Sequence, residues 1–136
     1  MTILSQRQRE IEERFSVIED PHERLNAIIR HRLKGMDLQE DERTDGQLVR
    51  GCASPVWLRV AVVNGELEIR YAASSVMVKG LVALLVELYL GVPAADAKGF
   101  TPRLLENLGL DRMLSGTRLH GLAQVVRTIR EAADVG

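Results

Sequence analysis

Asn64-Gly65 constrains this chain more than any other pair of residues in it. Before it, Val56, Leu58, Val60 and Val62 alternate with Trp57, Arg59, Ala61 and Val63. After it, Leu67, Ile69 and Tyr71 alternate with Glu66, Glu68 and Arg70. A two-residue connection between right-twisted strands needs positive φ at both central positions, which Asn-Gly tolerates at least cost. The spacing therefore predicts an antiparallel hairpin with a type I′ turn. Its second strand has one dry and one wet face, and a lone hairpin is marginal in water. Something must cover the dry face.

The flanking sequence supplies helices for that purpose. Leu4, Ile11, Phe15 and Ile18 recur at helical spacing among Gln, Arg and Glu, which predicts an amphipathic first helix. Asp20 is positioned to cap a second helix, with Pro21 at its first position and Glu23 reaching back to complete a capping box. Leu25, Ile28, Ile29 and Leu33 form its apolar stripe, and Lys34-Gly35 is the expected stop. Val76 to Leu90 is the most apolar run and reads as a buried central helix, ended by Gly91 and Pro93. Thr101-Pro102 opens a short helix that Gly109 closes, and a last helix begins near Thr117 and buries Leu122, Val125, Val126 and Ile129. Helices, a hairpin, then helices make an α+β protein, a small antiparallel sheet packed on a helical layer.

Composition narrows the function classes. At 136 residues the chain is expected to form one domain with a core of its own. Its formal net charge of −1 offers no basic field for a phosphate backbone, so nucleic acid is not an expected partner. The Val76–Leu90 run contains Lys79 and Glu87 and is too short to span a bilayer, so no membrane partner is expected either. The start Met1-Thr2-Ile3-Leu4-Ser5-Gln6-Arg7 lacks the pattern of an export signal, which predicts a cytoplasmic protein. One cysteine forbids an internal disulfide and a metal site built on several thiolates, and no metal ligand set is expected.

That cysteine, Cys52, is the residue to weigh. A free cysteine is most often a small buried hydrophobe. Here it follows Gly51 and precedes Ala53-Ser54-Pro55, in a turn just before the first strand and outside any apolar run. A thiol on a loop braced by a hairpin is where a partner can reach it. The stretch from Asp37 to Arg50, with Glu40, Asp41, Glu42 and Asp45, reads as a solvated acidic lead-in with little apolar anchorage, able to dock a basic patch on a partner.

The run Val49-Arg50-Gly51-Cys52-Ala53-Ser54-Pro55-Val56-Trp57-Leu58 resembles the V-x-G-C-x-S-x-V-W signature of the SufE/CsdE family. Val78-Lys79-Gly80-Leu81 is similar to its V-K-G-L segment, and Thr117-Arg118-Leu119-His120-Gly121-Leu122 to its S-R-x-x-G-L segment. These pieces stand in the family's order along the whole chain, so residues 1–136 are expected to be a single SufE-type domain. The resemblance implies an α+β fold of SufE/IscU-like type. It also implies a role: the family's cysteine, here Cys52, takes persulfide sulfur from a cysteine desulfurase of SufS/CsdA type and stimulates that enzyme. The sulfur is then relayed to an iron–sulfur scaffold of SufBCD type. No cofactor is expected on this chain, because the pyridoxal phosphate belongs to the desulfurase, and the protein is not expected to catalyse alone. Two departures stand out. Ala73-Ser74-Ser75 replaces an aspartate that many relatives carry before the central helix, with Ser74 as a substitute cap, and His120 replaces an amide side chain.

Arg118 is the first supporting candidate, with donors suited to loop carbonyls or an anionic sulfur and a charge that would lower the thiol pKa. His120 is a second, weaker one, since it titrates near neutrality. Trp57 reads as packing, Lys79 as a side chain that snorkels to solvent, and Ser54 as a local support of the cysteine loop. Two rival functions remain at this level. A cysteine-nucleophile hydrolase or transferase would need a base from His22, His31 or His120 and a group to orient it. An adaptor would carry Cys52 as inert packing.

Overall fold

The computed structural model describes residues 2–135. The hairpin forms as β1 (Val56–Val63) and β2 (Glu66–Ala73), in a register that pairs Val63 with Glu66 and Val56 with Ala73. Asn64 and Gly65 take φ of 53° and 80°, the left-handed pair that a type I′ turn requires. Leu67, Ile69 and Tyr71 are buried while Glu66 and Glu68 stay exposed, so the sheet has the expected dry face. Met36–Leu38 and Val92–Ala94 bond along β2 and the turn, and Leu48–Val49 bonds at the start of β1, which covers part of the edge backbone that would otherwise invite pairing with another chain.

The dry face is covered by α3 (Val76–Tyr89), whose residues from Gly80 to Val86 are all buried. Against α3 lie α1 (Ile3–Ser16) and α2 (Pro21–Ile29) on one side and α6 (Gly116–Val135) on the other, with α6 also reaching β1. Two one-turn helices, α4 (Ala94–Ala97) and α5 (Leu104–Asn107), close the remaining end. This is the α+β arrangement that the periodicity predicts, and one buried cluster runs from Leu4 to Ala133.

Several boundaries differ from expectation for identifiable reasons. α2 stops at Ile29, short of Lys34-Gly35, because the chain after it is spent on tertiary bonds. His31 Nε2 meets Glu87 Oε1 at 2.7 Å, and the Leu33 amide donates to the Tyr71 hydroxyl. Asp20 accepts from both the His22 and Glu23 amides, and Glu23 does not complete a capping box. Ser75, not Ser74, caps α3 by accepting from the Val78 amide. Ile18 lies beyond the end of α1, α5 begins at Leu104, and α4 follows Pro93 in a stretch with no periodic signal.

The helical layer is locked by one carboxylate. Glu87 accepts two bonds from Arg14 of α1, at 2.7 and 3.1 Å, and pairs with His31 just after α2. Burial alone would raise its pKa; the bonds from His31 and Arg14 outweigh burial and hold it at about 2. A depressed folded-state pKa means stability present above the ordinary glutamate range and lost as pH falls toward 2. Glu87→Gln should therefore cost roughly 2–3 kcal/mol at neutral pH and flatten the acid limb of the unfolding curve between about pH 5 and 2. Urea titrations at several pH values measure it, and an unchanged acid limb would mean that the cluster contributes nothing net.

Candidate functional site

Cys52 sits at the tip of a loop whose neck is closed by a bond from the Val49 amide to the Val56 carbonyl, 2.9 Å. Val49 and Val56 are both buried, so the six residues between them hang from an anchored base. The segment leading to the neck is anchored as well, contrary to a freely solvated acidic stretch. Leu38 and Val49 belong to the core, and the segment makes two short 3-10 turns, Glu40–Glu42 and Asp45–Gln47. Arg70 of β2 grips the Glu42 carboxylate with two bonds of 2.6 and 2.8 Å and also bonds the Asp37 carbonyl. That fork, with the Gln39 amide, holds the Glu42 carboxyl at about 2. The Arg43 guanidinium stacks over Trp57, 5.2 Å from the ring centroid. Lys79 reaches the surface as expected but ends on Asp37, at 3.3 Å.

The loop tip rests on α6. Cys52 Sγ donates to the Gly121 carbonyl at 3.5 Å, and the side chain is half-buried. Burial raises the thiol pKa above its ordinary value. A carbonyl accepts from a thiol and repels a thiolate, so the contact also favours the protonated form. Gly51, at φ +87°, lies against the His120 ring and the Gln124 side chain. Beside the thiol opens a cleft of about 520 Å³, with Val56, Val78, Leu122 and Val125 as its apolar wall and Ser54 and Arg118 among its polar groups. A larger cleft of about 800 Å³ lies across α6, floored by Leu85, Leu105, Leu119 and Val126 and away from the thiol.

The candidate residues thus converge on one loop and one helix. Arg118 is exposed and lines the thiol cleft, with its amide bonded to Ser115 Oγ at 3.2 Å. Among the described residues no bond joins its guanidinium to a carbonyl of the cysteine loop, and burial is what moves the thiol pKa. His120 is exposed and touches the loop at Gly51, while the Cys52 thiol bonds Gly121 instead. Ser54 lines the cleft and makes no turn bond among the described residues. Gly121, whose carbonyl receives the thiol, is the glycine of the S-R-x-x-G-L-like segment, where its residue type alone suggested no role. The available signal is a glycine inside an amphipathic helix, where it costs about 1 kcal/mol relative to alanine and marks a close approach.

Fold and site together define a small α+β protein that presents one thiol, on an anchored loop, against a helix. Among the described residues no group of three His, Cys, Asp or Glu stands together to hold a metal, and no helix is long and apolar enough to cross a membrane. Known proteins sharpen this class. The family described as SufE: Fe-S metabolism associated domain matches residues 9–133. An uncharacterised SufE-like protein of Rhizobium etli is 32% identical over 127 residues, covering 89% of this chain and 85% of that protein. A SufE-like protein of Synechocystis is 27% identical, covering 90% of this chain and 77% of that one. The SufE-like protein 1, chloroplastic/mitochondrial, of Arabidopsis thaliana is 31% identical over 92% of this chain, which spans only 34% of the plant protein's length. A solution structure of a hypothetical protein from Thermus thermophilus shares the fold, with a TM-score of 0.71 at 18% identity over 95% of this chain and 94% of that one. The chain belongs to the SufE family, and its role lies in iron–sulfur metabolism.

Proposed function

We propose that this protein is a sulfur acceptor, with Cys52 as the acceptor atom. The observation that carries the reading is the chain's lone thiol at the tip of an anchored loop, in a family tied to iron–sulfur metabolism. The Cys52 thiolate attacks the outer sulfur of a persulfide on a cysteine desulfurase. The sulfur–sulfur bond of the donor breaks, its electron pair leaves with the desulfurase thiolate, and Cys52 becomes the persulfide. Attack requires the thiolate, and in the resting position burial and the Gly121 carbonyl favour the thiol. The loop must therefore leave α6 when the desulfurase docks. The pyridoxal phosphate that generates the donor persulfide resides on the desulfurase, which this protein stimulates by removing sulfur. The loaded Cys52 then donates to an iron–sulfur scaffold. On this reading the protein turns over no substrate alone.

A hydrolase is less well supported. His31 is engaged with Glu87, His22 is exposed at the start of α2, and His120 makes no bond to the thiol among the described residues. Mixing the protein with a desulfurase, pyridoxal phosphate and cysteine, followed by intact-mass spectrometry, tests the acceptor role. The added mass should be that of sulfur and should disappear with reductant. A protein that stays unloaded while the desulfurase carries persulfide would sink the reading.

Arg118 enters as a group that meets the anionic persulfide once the loop opens, since it lines the same cleft. Arg118→Ala should slow sulfur loading roughly tenfold, the worth of one charge-assisted hydrogen bond. The pH profile of Cys52 alkylation in the free protein should not move, because burial and not a cation displaces that thiol. Lysine at 118 should restore part of the rate, keeping charge but losing the planar fork. Loading and alkylation both unchanged would leave Arg118 an ordinary surface residue.

A further inference from the structure

Gly80 and Gly121 lie in the interior of long helices, α3 and α6. At Gly80 the reason is plain, because α2 backbone occupies the space where a side chain would go. Gly121 differs. Its φ is not positive, so no conformational need selects glycine there. The atoms nearest to where its side chain would stand all belong to Cys52. A Cβ at 121 would stand 3.3 Å from Cys52 Sγ, 3.6 Å from its Cα and 3.8 Å from its Cβ. The helix therefore bears the propensity cost of a mid-helix glycine at the point where Cys52 rests. The Gly121 carbonyl at the same point accepts from the thiol. From the other side, Gly51 brings the loop backbone onto His120 and Gln124 without a side chain of its own.

We propose that Gly121 is a positioning residue for the acceptor thiol: its missing side chain forms the seat that holds Cys52 closed against α6 and sets how readily the loop opens. This rests on the acceptor reading for its biological meaning, while the seat itself is a property of the free protein. A side chain at 121 competes with Cys52 for one space. The helix has little freedom to yield, because Leu122, Val125 and Ile129 are buried in the core. The loop between Val49 and Val56 is the part that gives. An alanine asks for a displacement of a few tenths of an ångström, and a leucine fills the seat. Neither substitution disfavours the helix, since both residues are better helix formers than glycine.

The test is alkylation of Cys52 by iodoacetamide in the whole free protein, across a pH series, for wild type, Gly121→Ala and Gly121→Leu. Expelled from its seat, the thiol regains water and loses the carbonyl contact, so its alkylation midpoint falls toward that of ordinary cysteine. Each pH unit regained multiplies the thiolate present at neutral pH about tenfold. The expected order of neutral-pH rates is wild type, then alanine, then leucine, with the midpoint falling in the same order. Thermal unfolding, followed by circular dichroism, should show alanine at or above wild type. A general loosening would instead lower the melting temperature along with any change in the thiol. If the leucine variant does not fold, the alanine variant decides alone. Folded variants whose alkylation rate and midpoint equal those of wild type, or move the other way, overturn the proposal. Sulfur loading by a desulfurase is measured alongside. Failure of wild type to load would defeat the acceptor reading and leave the seat standing on its alkylation data.

Discussion

Cys52→Ser abolishes sulfur loading and leaves the protein folded: this is the largest functional effect expected of any single change here. The chain has no second cysteine to take over, so the loss is complete and not partial. The fold survives because the exchange replaces one atom at a half-buried loop tip, and a serine hydroxyl can still donate to the Gly121 carbonyl. The stability change should stay within about 1 kcal/mol, the range for substitutions that open no cavity and bury no unpaired charge. Desulfurase stimulation that depends on sulfur removal should vanish with loading, even if the two proteins still bind. Intact-mass spectra of the desulfurase reaction and a urea melt of the variant make the pair of measurements. A serine variant that gains sulfur as wild type does would end the assignment of the acceptor atom.

The largest effect on stability is expected at Gly80. A Cβ there would lie 2.5 Å from the Ile28 carbonyl oxygen and closer still to the Ile29 carbonyl. These are backbone atoms at the end of α2, so no rotamer change relieves the overlap; α2 must shift off α3. Alanine would return about 1 kcal/mol of helix propensity. Overpacking against a rigid neighbour costs about 3 kcal/mol or more when the backbone itself must move, so the clash wins. Gly80→Ala should lower the unfolding midpoint sharply, and the loosened α2 should also weaken the adjacent His31–Glu87 pair. Ala83→Gly, in the same buried helix, is the contrasting control. It should cost only the propensity and methyl terms, about 1–2 kcal/mol. If Gly80→Ala melts with wild type, the close approach of α2 to α3 is wrong.

The hairpin was legible because its signals are local. Asn64-Gly65 dictates a turn type, the turn dictates the register, and alternation dictates which face is dry. The buried central helix was legible for a similar reason, since an unbroken apolar run without turn residues has few alternatives. Cys52 stood out through its neighbours, and the segments around Lys79 and Arg118 through their order along the chain. The end of α2 was not legible. Lys34-Gly35 is a sound local stop, yet His31 and Leu33 leave the helix early to bond Glu87 and Tyr71, partners more than thirty residues away. The acidic segment likewise looked solvated because Leu38 and Val49 are isolated in sequence. In the fold each pairs with a strand, and the Arg70 fork on Glu42 completes the anchorage.

The site divides along the same line. Which atom can carry sulfur was determined by the sequence alone, because a chain with one cysteine has one candidate thiol. Whether that thiol rests open or closed was decided only by tertiary structure. The answer depends on Gly121, which is distant from Cys52 along the chain and becomes its neighbour only when α6 docks beside β1. Local pattern encodes backbone conformation and the face a side chain takes. Burial, the pKa it shifts and the room left by a missing Cβ are properties of two elements meeting, and exist only once they have packed.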